Sequence, residues 1–561
     1  MQAIEREQEW KDIHKRALLN ESFVEVSLEI TDPDALADAT SQDNGAIYTS
    51  PSKHVAELAE KITHPYCTLE QNLWCLDGSR QVIPEFDFED ETYTSDVLSD
   101  ETCVFSTKRP TITIGFGAIH DKPIPGLTIT WSETYKEYAD TFEVIVYKAN
   151  NIVFTKEVMG NKSIKTIVFL EFVNYDRVEV IVKKWCLPNR RARVEGILMG
   201  LHKAYGKGDL FNYSHKQFID PISASLPKSE ITFSINNVDG EYDLTNPQGI
   251  AKYLTERQEV KVRYGLKMDD GSIEWAKGGV FYLAEWYAKQ NGITADFTAR
   301  DLFGFMSDIV TDADIINGLP PESPTTVRGL AMVMLKRVPL LSGVDSERRW
   351  MMDESVMFKD VRNPIPTDTI ANNLQLLANM AKCVLYQDRD GVIHFEPLGT
   401  RDTDYEITSS NSYSKPEISL AKPVRQVIAK AYEVGVGSAP YWEPIYTPHE
   451  TSYPISVPAG NSGDIITVDN YMVPIEQVSN GDGTWGIGTS EAQGLAEWVY
   501  SYLSQRTNFE LSWRPDVRLD ALDVVTVHTD YKTTKVRLSE IEYKYNGAFR
   551  ATGKGRVIED G

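Results

Sequence analysis

Cysteine is scarce in this 561-residue chain, and its five copies (Cys67, Cys75, Cys103, Cys186, Cys383) are widely spaced with no Cys-x-x-Cys pair. That spacing excludes a disulfide framework and a thiolate metal knuckle, and it fits reduced, half-buried thiols; only a Cys67–Cys75 bridge is conceivable. Long apolar runs are missing as well. None approaches the roughly 20 residues that cross a bilayer. The charged, helix-patterned start MQAIEREQEWKDIHKRALLNES has no signal-peptide core. No transmembrane segment is expected, and synthesis is expected in the cytoplasm. Positive charge is in deficit: 57 Lys and Arg stand against 82 Asp and Glu, a formal net charge of −25. Sequence-specific nucleic-acid binding needs concentrated bases and is excluded on that ground.

Catalytic motifs are equally absent. The nearest approach to a phosphate loop, Gly200-LHKAY-Gly206-Lys207, has one residue too many and Gly208 where a hydroxyl belongs, so it reads as a flexible linker. Gly115-Phe-Gly117 lacks the third glycine of a dinucleotide fingerprint. There is no H-E-x-x-H, no G-x-S-x-G, and the nine histidines are scattered. Asn237-Val-Asp239-Gly240-Glu241-Tyr-Asp243 places its glycine too early for a calcium loop and reads as a polar turn. No catalytic, metal or cofactor residue is assigned, and no cofactor is expected. Paired carboxylates for sugar hydrolysis stay open, because an acidic chain offers many pairs at unknown spacing.

What the chain has is strands. At 42% hydrophobic residues it can bury several cores, and three to five domains are expected. Residues 1–84 read as a mixed α/β lead, with Ile4, Trp10, Ile13, Ala17 and Leu18 on one helical stripe, a strand at 23–30 and a second helix near 53–62. Residues 85–101 carry eight acidic side chains and no base; a cation site is the alternative, but no ligand spacing recurs, and a solvated loop between domains is expected. Short alternating runs fill 102–200, separated by turn residues such as Pro125-Gly126 and Gly160-Asn161, which gives a β-sandwich over 85–207. Residues 208–310 form a further β unit, with hairpins at Asp270-Gly271 and Asn291-Gly292. Two amphipathic helical runs, 326–338 and 367–382, and a hairpin at Asp390-Gly391 make 311–415 an α+β insertion. Residues 416–561 return to strands, with one helix at 491–505 and a last hairpin at Asn546-Gly547.

Within the sandwich, Trp131, Tyr135 and Tyr138 lie in or near the loop WSETYKEYADTF. They are candidate glycan contacts, since exposed rings stack on sugar faces; the alternative is that they cap the sandwich core. Arg190-Arg191-Ala-Arg193 reads as a solvated or salt-bridged edge.

Several segments together resemble a tail-tip hub or baseplate protein of phages, or prophage-derived tails, of Gram-positive bacteria. The stretch from DPISASLPKSEITFSINNVDGEYDLTNP through Arg257-Gln258 to GGVFYLAEW and TADFTARDLFGFM carries most of it. The helix and hairpin TDTIANNLQLLANMAKCVLYQDRDGVIHFEPL, the run RPDVRLDALDVVTVH and the upstream GLTITWS, TFEVIVY and PNRRARVEGILMG follow the same order. The resemblance covers most of 65–561. It implies a mainly β, multi-domain chain: a sandwich shaped like a carbohydrate-binding module, then two tail-tube-like β-barrels, at 208–310 and 416–561, separated by the α+β insertion. It also implies a non-enzymatic homotrimer closing the distal tail tube in the virion. Implied partners are the tail tube or distal tail protein, the tape measure protein and receptor-binding or other baseplate proteins, with host cell-wall glycan a further one. An acidic lumen would let DNA pass without sticking. The rival readings are a glycan-binding adhesin acting through the sandwich and a tail-associated cell-wall hydrolase.

Overall fold

Alternating apolar residues at 112–114, 142–146 and 178–182 can bury one face only if two sheets close on each other, and the chain does this. The computed structural model describes residues 4, 6–16, 20–47, 49, 54–56, 65–82, 92–289, 292–311, 326–339, 349–436, 444–458, 460–481 and 484–560. The chain is mainly β with several sheets and helical insertions, and it divides into two units: Ser27–Ala204 with Asp239–Glu259, and Met1–Val26 with Tyr205–Val238 and Val260–Gly561.

In the first unit a five-stranded sheet runs in the order Ala39–Asp43, Thr111–His120, Tyr175–Trp185, Ala139–Lys148, Asn151–Val158. It packs on a three-stranded sheet of Lys165–Phe172, Ile124–Thr130 and Gly196–Leu198. Ile112, Ile114, Phe142, Val144, Val146, Val178 and Val180 meet Leu127, Ile129, Val168 and Ile197 in one core. The open edge is guarded by Lys156, whose Nζ donates to the Phe169 carbonyl at 2.7 Å; a lysine there blocks addition of another strand.

Three local expectations change. Pro125-Gly126 is not a turn but lies inside strand Ile124–Thr130. A Cβ on Gly126 would stand 2.5 Å from the Val168 carbonyl oxygen, so the glycine admits the neighbouring strand beside its register shift at Phe169/Phe172. The expected linker at Gly200 is strand Gly200–Tyr205, where the missing Cβ makes room for the Ile30 carbonyl. In the acidic run, Tyr93–Leu98 form a strand paired with Arg191–Val194, with Tyr93 fully buried; 85–91 lie outside the described residues. Of the helix expected near 53–62, only the 3-10 turn His54–Ala56 is described. The Cys67–Cys75 bridge is not formed.

In the second unit, strands Ile273–Ala288, Thr294–Arg300, Lys228–Asn236 and Leu210–Phe218 lie side by side, and Leu210–Phe218 pairs onward with Thr533–Tyr545. Phe549–Asp560, Thr507–Trp513 and Glu417–Leu420 continue the sheet. The turn residues Gly271, Gly391 and Gly547 take positive φ (86°, 79° and 99°), as the hairpin reading requires; Asn291 lies outside the described residues. The insertion supplies helices Val327–Leu335 and Ile370–Met380, whose caps Thr326 and Thr369 accept from Gly329 N and Asn372 N. With Ser490–Leu503 they enclose a core of Leu330, Met334, Leu374, Leu377, Leu495 and Val499.

Candidate interaction site

The loop after strand Ile124–Thr130 starts at Trp131, and its alternation sends that ring inward. Trp131 is fully buried; its indole N–H donates to Thr166 Oγ1 at 2.9 Å, and it meets Phe142 and Trp185 edge-on. It offers no face to a sugar. Tyr135 is half-buried: its hydroxyl accepts from Tyr66 N at 2.8 Å, while the guanidinium carbons of Arg193 and Arg80 lie 4.2 and 5.3 Å from its ring centroid. Tyr138 is half-buried against the core, its backbone N–H directed at Cys186 Sγ at 3.3 Å.

Beneath these rings lies an ion network that sequence reasoning treated as an edge. Arg193 grips Glu70 with both terminal nitrogens, Glu70 also accepts from Arg191 N at 2.8 Å and Thr68 Oγ1 at 3.0 Å, and Arg190 pairs with Glu137 at 3.2 Å. Glu137 takes the Trp185 indole N–H at 2.8 Å. Burial pushes Glu70 up, yet Arg193 and these donors hold it below the usual carboxylate range. Burial wins at Glu137, which is raised despite Trp185, Arg193 and Arg190. Two carboxylates with opposite shifts are the pattern of an acid–base pair. Here both are bound by arginines and are less than 5% exposed, so the arrangement cross-links the sandwich instead of facing a substrate. Among the described residues no group of three or more His, Cys, Asp or Glu could hold a metal ion.

The second unit carries an open groove of about 590 Å³ on the outer face of its sheet. Cross-strand pairing puts Glu285, Thr298, Thr232, Ser214, Lys544 and Arg550 in one row over six strands. A neighbouring row runs Tyr287, Asp296, Ser234, Asn212, with the Ser234 hydroxyl donating to Asp296. Directly cross-strand residues share a face, and the inward neighbours Ile231, Phe233, Phe297 and Tyr213 are buried. The floor is thus short hydroxyls, with Asp296 at one end and Lys544 and Arg550 at the other; Glu285, outside the lining, pairs with Arg300 at 3.6 Å. The strand alternation was readable from sequence; the row was not, since it depends on register.

No family model matches the sequence, and neither does any curated protein. Among solved structures, a tail protein from Neisseria meningitidis aligns over 64% of this chain and 94% of its own, at 14% identity and TM-score 0.41. The 43 kDa tail protein of prophage MuSo2 from Shewanella oneidensis aligns over 63% and 95%, at 12% identity and TM-score 0.40. A prophage tail protein from Listeria monocytogenes aligns over 63% and 91%, at 11% identity and TM-score 0.35.

Proposed function

We propose that this chain is a structural subunit of a phage or prophage-derived tail tip or baseplate: a non-enzymatic, trimeric hub that closes the distal tail tube and holds neighbouring tail components. The observation that carries the reading is the in-register pairing of Leu210–Phe218 with Thr533–Tyr545, from Tyr213 against Tyr545 to Phe218 against Glu540. It joins the two strand-rich segments on either side of the insertion, the segments to which the resemblance assigns the two hub barrels. The acid excess, with a net charge of −25, suits a wall that DNA passes without binding.

The test is the mass of the purified chain by light scattering, with electron microscopy of the particle. A trimer of about 190 kDa, three times the 63.3 kDa chain, is expected, with antibody label at the tail end. A monomer at micromolar concentration together with unlabelled tails overturns the reading.

A further inference from the structure

Asn-Gly is a chemically labile step as well as a turn former, because a glycine without Cβ lets its own amide nitrogen close on the preceding side chain. The chain has five such steps, starting at Asn44, Asn291, Asn317, Asn480 and Asn546; Asn291 and Asn317 lie outside the described residues. The other three differ in what holds them. The Asn44 side chain donates to the Arg109 carbonyl at 2.8 Å and accepts from Thr111 N at 3.0 Å, while Gly45 N donates to Asp43 Oδ1 at 2.7 Å. Asn480 donates to Thr484 Oγ1 at 3.0 Å, and Gly481 N to Ser479 Oγ at 3.3 Å. In both, the carboxamide and the glycine nitrogen are already engaged. At the third step neither is: among the described residues no hydrogen bond reaches the Asn546 side chain or Gly547 N. Residues 546–548 are all exposed, forming the loop between the paired Tyr545 and Phe549, and a Cβ on Gly547 would meet nothing within 4 Å.

We propose that Asn546 is a modification site, deamidating in the folded chain through a succinimide with water as the only reagent. The Gly547 amide nitrogen gives up its proton to solvent and bonds to Asn546 Cγ. The Cγ–Nδ2 bond then breaks, and Nδ2 takes up a proton to leave as ammonia. Water adds to either carbonyl of the ring. Opening at one yields aspartate; opening at the other yields isoaspartate, whose backbone runs through the former side chain and is one methylene longer. Either product adds a carboxylate to the groove that Asn546 lines together with Lys544 and Arg550. Lys544 already reaches Glu542 at 3.0 Å, whereas Arg550 has no carboxylate partner among the described residues, and its guanidinium carbon lies 5.5 Å from the Tyr413 ring centroid. The reaction thus changes the charge of the groove without any enzyme. The isoaspartate form also lengthens the loop that closes the pairing of Thr533–Tyr545 with Phe549–Asp560. This inference does not rest on the tail-tip reading.

The full chain is held folded at mildly alkaline pH, sampled over weeks and mapped by proteolysis and mass spectrometry, with isoaspartate labelled by an isoaspartyl methyltransferase. Asn546 should convert about tenfold faster than Asn44 or Asn480, because each of those must first lose its hydrogen bonds. In denaturant the three rates should converge to within about twofold, since the shared Asn-Gly chemistry then decides alone. Asn546→Gln, whose side chain is one methylene too long for the same ring, should abolish the signal at this position. Equal rates at the three sites in the folded chain, or Asn546 slower than either of the others, overturns the proposal. So does a folded-chain rate at Asn546 far below its own rate in denaturant, which would mean that the hairpin holds Gly547 N away from Cγ.

Discussion

The Arg389 guanidinium reaches Asp520 at 2.9 and 3.1 Å across 131 residues of chain. Arg389 sits at the tip of the hairpin formed by Val384–Gln387 and Ile393–Glu396, and it also donates to the carbonyls of Lys277, Val517 and Leu519 at 2.6–2.9 Å. One side chain from the insertion thereby ties Ile273–Ala288 to the segment before Val524–His528. Arg389→Ala leaves three carbonyls and a carboxylate without their donor and is expected to cost about 3–5 kcal/mol. Differential scanning calorimetry should show the second unit melting earlier while the sandwich transition stays put. Asp520→Asn keeps an acceptor and should cost less.

Asp301 gives a pH prediction. It caps helix Leu302–Met306, accepting from Gly304 N at 2.9 Å and Ser229 N at 2.6 Å. Burial outweighs those donors and pushes its pKa up to about 7 from 3.8. An acid raised on folding adds stability that is fully present below about pH 4 and lost as pH rises through 7. Asp301→Asn removes the charge and keeps one acceptor. Melting curves from pH 4 to 8 should show the variant gaining on the parent steadily as pH rises; parallel curves would refute the assignment.

At the amino-terminal end, Trp10 donates its indole N–H to Asp516 Oδ1 at 3.1 Å, and Arg518 binds the same carboxylate. Burial pushes Asp516 up, but His14 and Arg518 prevail and hold it below its ordinary value. This contribution is present at neutral pH and lost as pH falls through the lowered folded-state pKa. Trp10→Ala is expected to cost about 3–5 kcal/mol, and Asp516→Asn to destabilise at pH 7 but much less near pH 3, both read from urea midpoints.

Local pattern made much of this fold legible. Alternation at 139–148 and 228–236, Thr326 and Thr369 before helical stripes, and Asp390-Gly391 between two strands each carry their own signal within a few residues. Pro125-Gly126 misleads because the same dipeptide serves a tight turn and a close strand approach, and only the Val168 carbonyl opposite decides. Arg193 and Glu70 lie 123 positions apart, and no periodicity links them. The groove failed to show for the same reason: alternation tells which residues face outward, while register tells which of them stand together.

The sandwich aromatics allow a prediction that separates binding from folding. Trp131 is an interior residue whose removal leaves a cavity between Phe142 and Trp185 and deprives Thr166 of its donor. Trp131→Ala should destabilise the sandwich by about 3–5 kcal/mol, visible as loss of near-ultraviolet circular dichroism. Tyr135→Phe removes only the hydroxyl that accepts from Tyr66 N and keeps the ring beside Arg193, so a cost of about 1 kcal/mol is expected. Of whatever retention the parent shows on purified cell-wall polysaccharide in a sedimentation assay, Trp131→Ala should lose only the share of unfolded sandwich and Tyr135→Phe none. A direct sugar contact would behave differently. Retention would drop in Tyr135→Ala with the sandwich transition intact, and that outcome would make Tyr135, beside Arg193 and Arg80, a binding ring.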